Sequence, residues 1–95
     1  MRYETLPEHM RDGARLYIER GVEPGDFLCA VLCDSLTQAF GRADHINQLY
    51  MHNWASWLYS NCPPQAWGDR DTIEKWIAHS GLEGLRDTIA KGESE

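Results

Sequence analysis

Apolar residues recur along the chain at helical spacing, in groups separated by glycine, proline and aspartate. The first group lies on one side of a helix at about 100° per residue and consists of Met10, Ala14, Tyr17 and Ile18. Pro7 suits a first helical position, and Gly21 suits the residue that ends a helix. We therefore predict a first helix over residues 7–20, with Leu16 on its polar side.

The next segment, "GDFLCAVLCDSLTQAFG", is apolar on nearly all sides. Asp26 suits the N-cap and Gly41 the stop of a second helix over residues 27–40. This composition predicts the most buried helix of the fold, with Asp34 on its polar edge. One apolar arc of this helix is formed by Cys29, Cys33, Leu36 and Phe40.

A third helix is predicted over residues 45–61, where Asp44 suits the N-cap and the Pro63-Pro64 pair ends the helix. Asn47 falls inside the apolar arc of this helix, where an amide needs hydrogen-bond partners. Two interpretations of Asn47 stay open: its side chain holds the neighbouring loop in place, or it contributes to an interface.

A fourth helix begins at Asp69 or Asp71 and ends at Gly81, with a clean apolar stripe between these limits. The segment "LEGLRDTIA" adds a short fifth helix through its residues Leu82, Leu85 and Ile89. No run alternates with period two over the length of a strand. We predict an all-α fold, with residues 1–91 as a single helical domain and residues 92–95 as a solvated acidic tail.

Charge limits the classes of partner. The chain has 95 residues and a net charge of −6, which disfavours contact with a phosphate backbone and suits a basic surface on a partner. No stretch is apolar enough to span a membrane, and "MRYETLPEHM" lacks the apolar region of a secretion signal. We therefore expect a cytoplasmic protein that has no direct contact with nucleic acid or membrane.

The three cysteines are the most obvious candidates for a metal or redox site. Cys29 and Cys33 are four residues apart, but a zinc site needs two more ligands, and His45 and His52 are too far apart on a straight helix to supply both. Packing explains the two thiols better than metal binding, and we expect no cofactor and no bound metal. A catalytic pair of Cys62 and His79 stays open on sequence alone, but known catalytic motifs are absent, and we expect no enzyme.

Five residues are the candidates for partner binding, namely Leu16, Asp26, Asp34, Asn47 and Trp67. Leu16 is an apolar residue among polar neighbours. The two aspartates belong to an acidic edge near the turn between the first and second predicted helices. Trp67 lies in the loop "PPQAWGD", where an aromatic residue can contact a partner or can close the junction between the third and fourth helices.

Most of the chain, from Leu6 to about Ile77, resembles a family of small proteins of tailed phages and prophages of Gram-negative bacteria. The resemblance rests on "LPEHMRDGARLYIERGVEPGDFLCAVLCDSLTQAFGRADHIN" and "WLYSNCPPQAWGDRDTIEKWI". Its most specific parts are "PGDFLCAVL", the "RAD" followed by Asn47, and the tryptophans of the second segment. It implies a phage accessory protein in the cytoplasm of the bacterial host, and it assigns no catalytic residues.

These observations favour a non-enzymatic protein that binds a host protein complex. More specifically, we expect it to inhibit a bacterial defence system, as anti-CRISPR proteins do. One alternative is a DNA-linked regulator with a helix-turn-helix. The other is a small metal-stabilised structural module. The partner and the oligomeric state are not fixed by the sequence.

Overall fold

The computed structural model describes residues 2–85, and these form a helical structure without strands. Its elements are α1 (Glu8–Arg20), α2 (Asp26–Leu32), α3 (Leu36–Arg42), α4 (His45–Leu49), α5 (Met51–Asn61), a 3₁₀ turn (Pro64–Ala66) and α6 (Arg70–Ala78). Residues 81–85 are also helical. The predicted acidic tail and Ile89 lie outside the described residues. The prediction of an all-α fold is confirmed, but its division into four helices and a short fifth is wrong.

The predicted second helix is broken into α2 and α3. Asp34 takes a left-handed conformation with φ 59°, and two backbone hydrogen bonds close the end of α2 around it. The Asp34 N–H donates to the Val31 carbonyl at 3.0 Å, and the Ser35 N–H donates to the Ala30 carbonyl at 3.1 Å. This is the hydrogen-bond pattern with which helices commonly end, usually with glycine in the left-handed position. Nor does Asp26 cap this helix: Gly25 occupies the N-cap and Asp26 is the first helical residue.

Replacing Asp34 with glycine is expected to stabilise the protein by about 1 kcal/mol, because glycine adopts the left-handed conformation without the steric cost of a Cβ atom. The measurement is the free energy of unfolding in urea. Asp34→Ala removes the same carboxylate but keeps the Cβ atom, so it should not stabilise. Equal stabilisation by both variants would assign the effect to charge and contradict the backbone explanation.

The predicted third helix is interrupted only at Tyr50, where the backbone turns at φ −103° and ψ 13°. The Tyr50 N–H is shared between the carbonyls of Ile46 at 3.2 Å and Asn47 at 3.1 Å. The chain therefore passes from α4 into α5 without a loop. Asp44 is confirmed as an N-cap, since it accepts from the Asn47 N–H. Of the two candidates for the cap of α6, Asp69 is the N-cap and accepts from the Thr72 N–H, whereas Asp71 lies in the first turn.

The core is built around three tryptophans and one tyrosine. The largest fully buried side chains are Trp54, Trp57, Trp76, Tyr17, Leu6, Ile18, Leu32 and Ile73. Two of these aromatic residues bond to backbone carbonyls through their polar ends: the Tyr17 hydroxyl donates to Ala66 at 2.6 Å, and the Trp76 indole donates to Tyr17 at 3.0 Å. These two bonds tie α1 to the 3₁₀ turn and to α6.

Two glycines bring the ends of α1 and α6 into contact. Gly21 ends α1 at φ +68°, and Gly81 follows α6 at φ +65°. A Cβ atom on Gly81 would lie 2.6 Å from the Gly21 nitrogen and 2.7 Å from the Ile18 carbonyl oxygen. Real Cβ atoms do not approach backbone atoms so closely, so this junction requires glycine for its space as well as for its conformation.

The prediction that the second helix is the most buried holds for α2 alone. Five of its seven residues are buried, whereas Ala39 is the buried residue of α3. Leu36 and Phe40, which the helical wheel placed in the core, are exposed. The break at Asp34 rotates α3 relative to α2, so one continuous wheel does not describe both. Among residues 2–85, no helix is long and apolar enough to cross a membrane.

Candidate partner-binding groove

A groove of about 310 Å³ lies between α1, the connection from α1 to α2, and the start of α4. Its apolar lining comes from Met10, Leu16, Val22, Phe27 and Leu28. Its polar lining comes from Glu23, Asp26, Arg42, Asp44 and Asn47. An apolar wall with a few convergent polar groups is typical of binding sites, and this volume lies at the lower end of their range.

Three carboxylates and one guanidinium stand around the groove, so its charge is negative. Arg42 is turned towards the backbone, where its Nη1 donates to the Asp26 carbonyl at 3.5 Å. Glu23 lies 3.8 Å from Arg70 in a largely exposed ion pair, which contributes little. Within the described part of the chain, the Asp26 carboxylate has no ion-pair partner.

Asp44 is held in place from two sides. Its Oδ1 accepts from the Asn47 N–H at 2.7 Å, and its Oδ2 lies 2.9 Å from Nε2 of His9. The bond from the Asn47 backbone, followed by the bond to His9, holds the pKa of Asp44 below its usual range. The carboxylate is therefore ionised at neutral pH and adds to the negative charge of the groove.

Asn47 lies at the base of the groove and is 2% exposed. Its Oδ1 accepts from the indole N–H of Trp54 at 3.1 Å. That bond fixes the orientation of the amide, because the oxygen must face Trp54. The side chain of Asn47 therefore has a structural partner, but this partner is Trp54 on α5 and not the neighbouring loop that the sequence suggested.

The structure brings three of the five predicted binding residues together, since Leu16, Asp26 and Asn47 all line this groove. Asp34 lies elsewhere, at a smaller groove of about 80 Å³ between α3 and α5. Trp67 packs half-buried against the core, and the next residue, Gly68, donates its N–H to the Leu32 carbonyl at 2.7 Å. Trp67 therefore closes the junction before α6, as in the structural interpretation of this loop.

Cys62 is part of the buried core, whereas Cys29 and Cys33 pack against the core from its edge. Cys29 and Cys33 are half-buried, and Arg70 donates from Nη1 to the Cys29 sulfur at 3.0 Å. Burial, and then the neighbouring Cys29, raise the pKa of Cys33, and burial raises the pKa of Cys62. In residues 2–85, no three His, Cys, Asp or Glu side chains form a group that could hold a metal ion.

Cys62 and His79, the pair that the sequence left open, are each engaged in packing. Cys62 is buried in the core cluster, and the His79 ring packs edge-on against Trp76 with centroids 4.9 Å apart. Nδ1 of His79 lies 3.2 Å from the Gly81 carbonyl oxygen, so this ring supports the turn after α6.

Comparison with known proteins adds no relative. No family model, no curated protein and no solved structure matches this chain. The resemblance to phage and prophage proteins therefore stays a prediction, and the geometry of the site carries the functional inference.

The sequence did not reveal that several large apolar side chains of α3, α4 and α5 are exposed. These side chains are Leu36, Phe40, Ile46, Leu49, Tyr50 and Tyr59. The sequence does carry one signal for this exposure, which is the scarcity of charge. Of the 24 acidic and basic residues of the chain, only Arg42 and Asp44 fall within residues 35–68.

Proposed function

We propose that this protein is a non-enzymatic accessory protein of a phage or prophage, and that it binds a host protein complex through the groove between α1, α2 and α4. More specifically, we propose that it inhibits a bacterial defence complex, as anti-CRISPR proteins do. The observation that carries the binding function is the combination of an apolar wall with the carboxylates of Glu23, Asp26 and Asp44.

The groove suits a lysine or arginine side chain on the partner. Such a side chain has an apolar stem and a charged end. The stem can lie along Leu16 and Phe27, and the cation can approach Asp26, whose carboxylate has no competing ion pair in residues 2–85. The net charge of −6 also favours encounter with a basic surface. Host complexes that bind nucleic acid carry such surfaces, which supports inhibition as the specific form.

The DNA-linked alternative has less support from the described residues. Its recognition helix would be α6, and both basic residues of α6 are near carboxylates. Lys75 lies 3.5 Å from Asp71, and Arg70 lies 3.3 Å from Glu74. Absence of binding to duplex DNA at physiological salt would exclude this alternative.

Reversing the charge of Asp26 is expected to weaken the complex about 5- to 20-fold, mainly through slower association, because a rim charge steers the encounter. The experiment is affinity capture from a lysate of a Gram-negative host, followed by measurement of association with the purified complex. Asp26→Lys is the test variant. Asp71→Lys is the matched control, since Asp71 is exposed on α6, does not line the groove, and gives the same change in net charge.

If the proposal is correct, the wild type and Asp71→Lys capture the same complex equally well, and Asp26→Lys captures it poorly. Equal capture by all three proteins would place the contact outside the groove. If no complex is enriched above a helical domain of equal charge, the partner-binding function is wrong. Trp67→Ala is unsuitable for this test, because Trp67 packs against the core.

A further inference from the structure

The amide of Asn47 is bonded on one side and open on the other. Its Oδ1 accepts from the Trp54 indole N–H at 3.1 Å, which places Nδ2 on the side away from that bond. Within residues 2–85, no group accepts a hydrogen bond from this Nδ2. An amide nitrogen carries two donors, and most buried polar side-chain atoms in proteins have a partner. A side chain that is 2% exposed therefore has donors that need an acceptor which the described residues do not supply.

The open nitrogen of Asn47 is reached from the groove between α1, α2 and α4. Among the described residues, the fully enclosed side-chain nitrogen or oxygen without a hydrogen-bond partner is Nε1 of Trp57. Nδ2 of Asn47 also lacks a partner but is not enclosed in this way, so it belongs to the small exposed part of Asn47. Because Asn47 lines the groove, an acceptor that enters the groove can accept from Nδ2.

The charges around the groove select the kind of acceptor. Its lining holds the three carboxylates of Glu23, Asp26 and Asp44 and the single guanidinium of Arg42. This excess of negative charge repels a phosphate or a carboxylate. The carbonyl oxygen of a peptide bond carries no net charge, and every residue of a partner protein supplies one. A backbone carbonyl therefore suits Nδ2 better than an anion does.

Two glycines leave space for a main chain in the walls of the groove. Gly13 of α1 and Gly25 before α2 both line it, and an added Cβ atom at either position would meet no atom within 4 Å. Packing among the described residues therefore requires neither glycine, although Gly13 weakens its helix by about 0.5–1 kcal/mol relative to alanine. Glycine in a wall allows another backbone to approach closely.

We propose that the groove binds a short peptide segment of the partner by its main chain. Nδ2 of Asn47 donates to a backbone carbonyl oxygen, while a lysine or arginine side chain of the same segment reaches Asp26. The contact with the cation rests on the proposed function, and the contact with the main chain is additional to it. Asn47 then has two roles, since Oδ1 holds Trp54 and Nδ2 binds the partner. The groove thereby favours a basic residue within a polypeptide over a free cation.

The test is a nuclear magnetic resonance titration of the nitrogen-15-labelled full chain with small probes. Nα-acetyl-arginine N-methylamide carries the guanidinium, its stem and two backbone carbonyls, whereas n-butylguanidinium carries the cation and stem alone. The methylamide should bind about 2- to 10-fold more tightly, as expected for one hydrogen bond, and should shift the side-chain NH₂ signals of Asn47. The side-chain amide of Gln48, which does not line the groove, is the internal control and should not shift. Nα-acetyl-arginine, which ends in a carboxylate, should bind more weakly than the methylamide.

Gly13→Gln tests the same contact from the protein side, because it places a long side chain in the wall and favours the helix. This variant should lose the preference for the methylamide over n-butylguanidinium. Gly41→Gln is the matched control, since Gly41 lies on α3, does not line the groove, and has equal space for a side chain. It should keep the preference, and circular dichroism checks the fold of both variants.

The outcomes separate the main-chain contact from the proposed function. Equal affinity for the methylamide and n-butylguanidinium, with unmoved Asn47 NH₂ signals, would show that Nδ2 bonds to water alone. The main-chain contact would then be wrong, and the cation contact would stand. If neither probe shifts the signals of any groove residue, both the cation contact and the main-chain contact are wrong. A preference for the methylamide that Gly13→Gln retains would place the carbonyl contact outside the groove.

Discussion

Gly81→Ala is expected to destabilise the protein by about 3–5 kcal/mol, because the new methyl group meets backbone and not a movable side chain. Its Cβ atom would lie 2.6 Å from the Gly21 nitrogen and 2.9 Å from the Arg20 nitrogen. The left-handed conformation of Gly81, with φ +65°, adds strain for any residue with a Cβ atom. Domains of this size are stable by roughly 5–14 kcal/mol in total, so a large part of the stability depends on this junction.

The measurement is unfolding in guanidinium chloride, followed by circular dichroism. Gly13→Ala is the matched control, because an added Cβ atom at Gly13 has no atom within 4 Å and Gly13 lies within α1. That variant should be about 0.5–1 kcal/mol more stable than the wild type through helix propensity. If Gly81→Ala is as stable as the wild type, the ends of α1 and α6 do not meet as the structure has them.

Asn47→Ala is expected to destabilise the protein by about 2–4 kcal/mol. Trp54 is 1% exposed, and Asn47 supplies the acceptor for its indole N–H. Without that acceptor the N–H is left buried and unpaired, which costs about 1–3 kcal/mol, and the loss of the amide adds a small cavity. The measurement is the free energy of unfolding, together with hydrogen exchange of the Trp54 indole proton, which should become faster.

Two comparisons separate this role from a role in binding. Gln48→Ala changes an exposed amide on the same helix and should alter stability by less than about 0.5 kcal/mol. In a Trp54→Phe background, Asn47→Ala should cost less, because no indole donor remains to be stranded. An Asn47→Ala protein of normal stability but reduced affinity for its partner would instead assign Asn47 to the interface.

The mixed lining of the groove determines how its complexes should respond to salt. The groove combines apolar residues with carboxylates, so its complexes should weaken as salt increases.

Local signals in the sequence were enough to place several elements. The apolar stripe and the glycine stop predicted the first helix over 7–20, and the structure has α1 at Glu8–Arg20. Asp44 was predicted as a cap, and Asp69 was one of two candidates for the cap of α6; both accept the N–H of the third residue beyond them. These features depend on residues within one turn of each other, and therefore short sequence patterns report them.

Other features have no clear local signal in the sequence, or they depend on neighbours that are distant in sequence. The break at Asp34 was missed because aspartate is not the usual residue in a left-handed helix end, and no glycine marks the position. A helical wheel drawn without the break placed Leu36 and Phe40 in the core, although both are exposed. The groove escaped prediction as a site, although Leu16, Asp26 and Asn47 were each selected singly.

The sequence by itself determined the helical class, the ends of α1, the caps of α4 and α6, and the acidic charge that restricts the class of partner. Only the tertiary structure decided that Asn47 faces Trp54, that Gly21 meets Gly81, and which apolar residues stay in solvent. The physical reason is that propensity and capping act within a few residues along the chain. Burial and close contact depend instead on how helices from separate segments pack together.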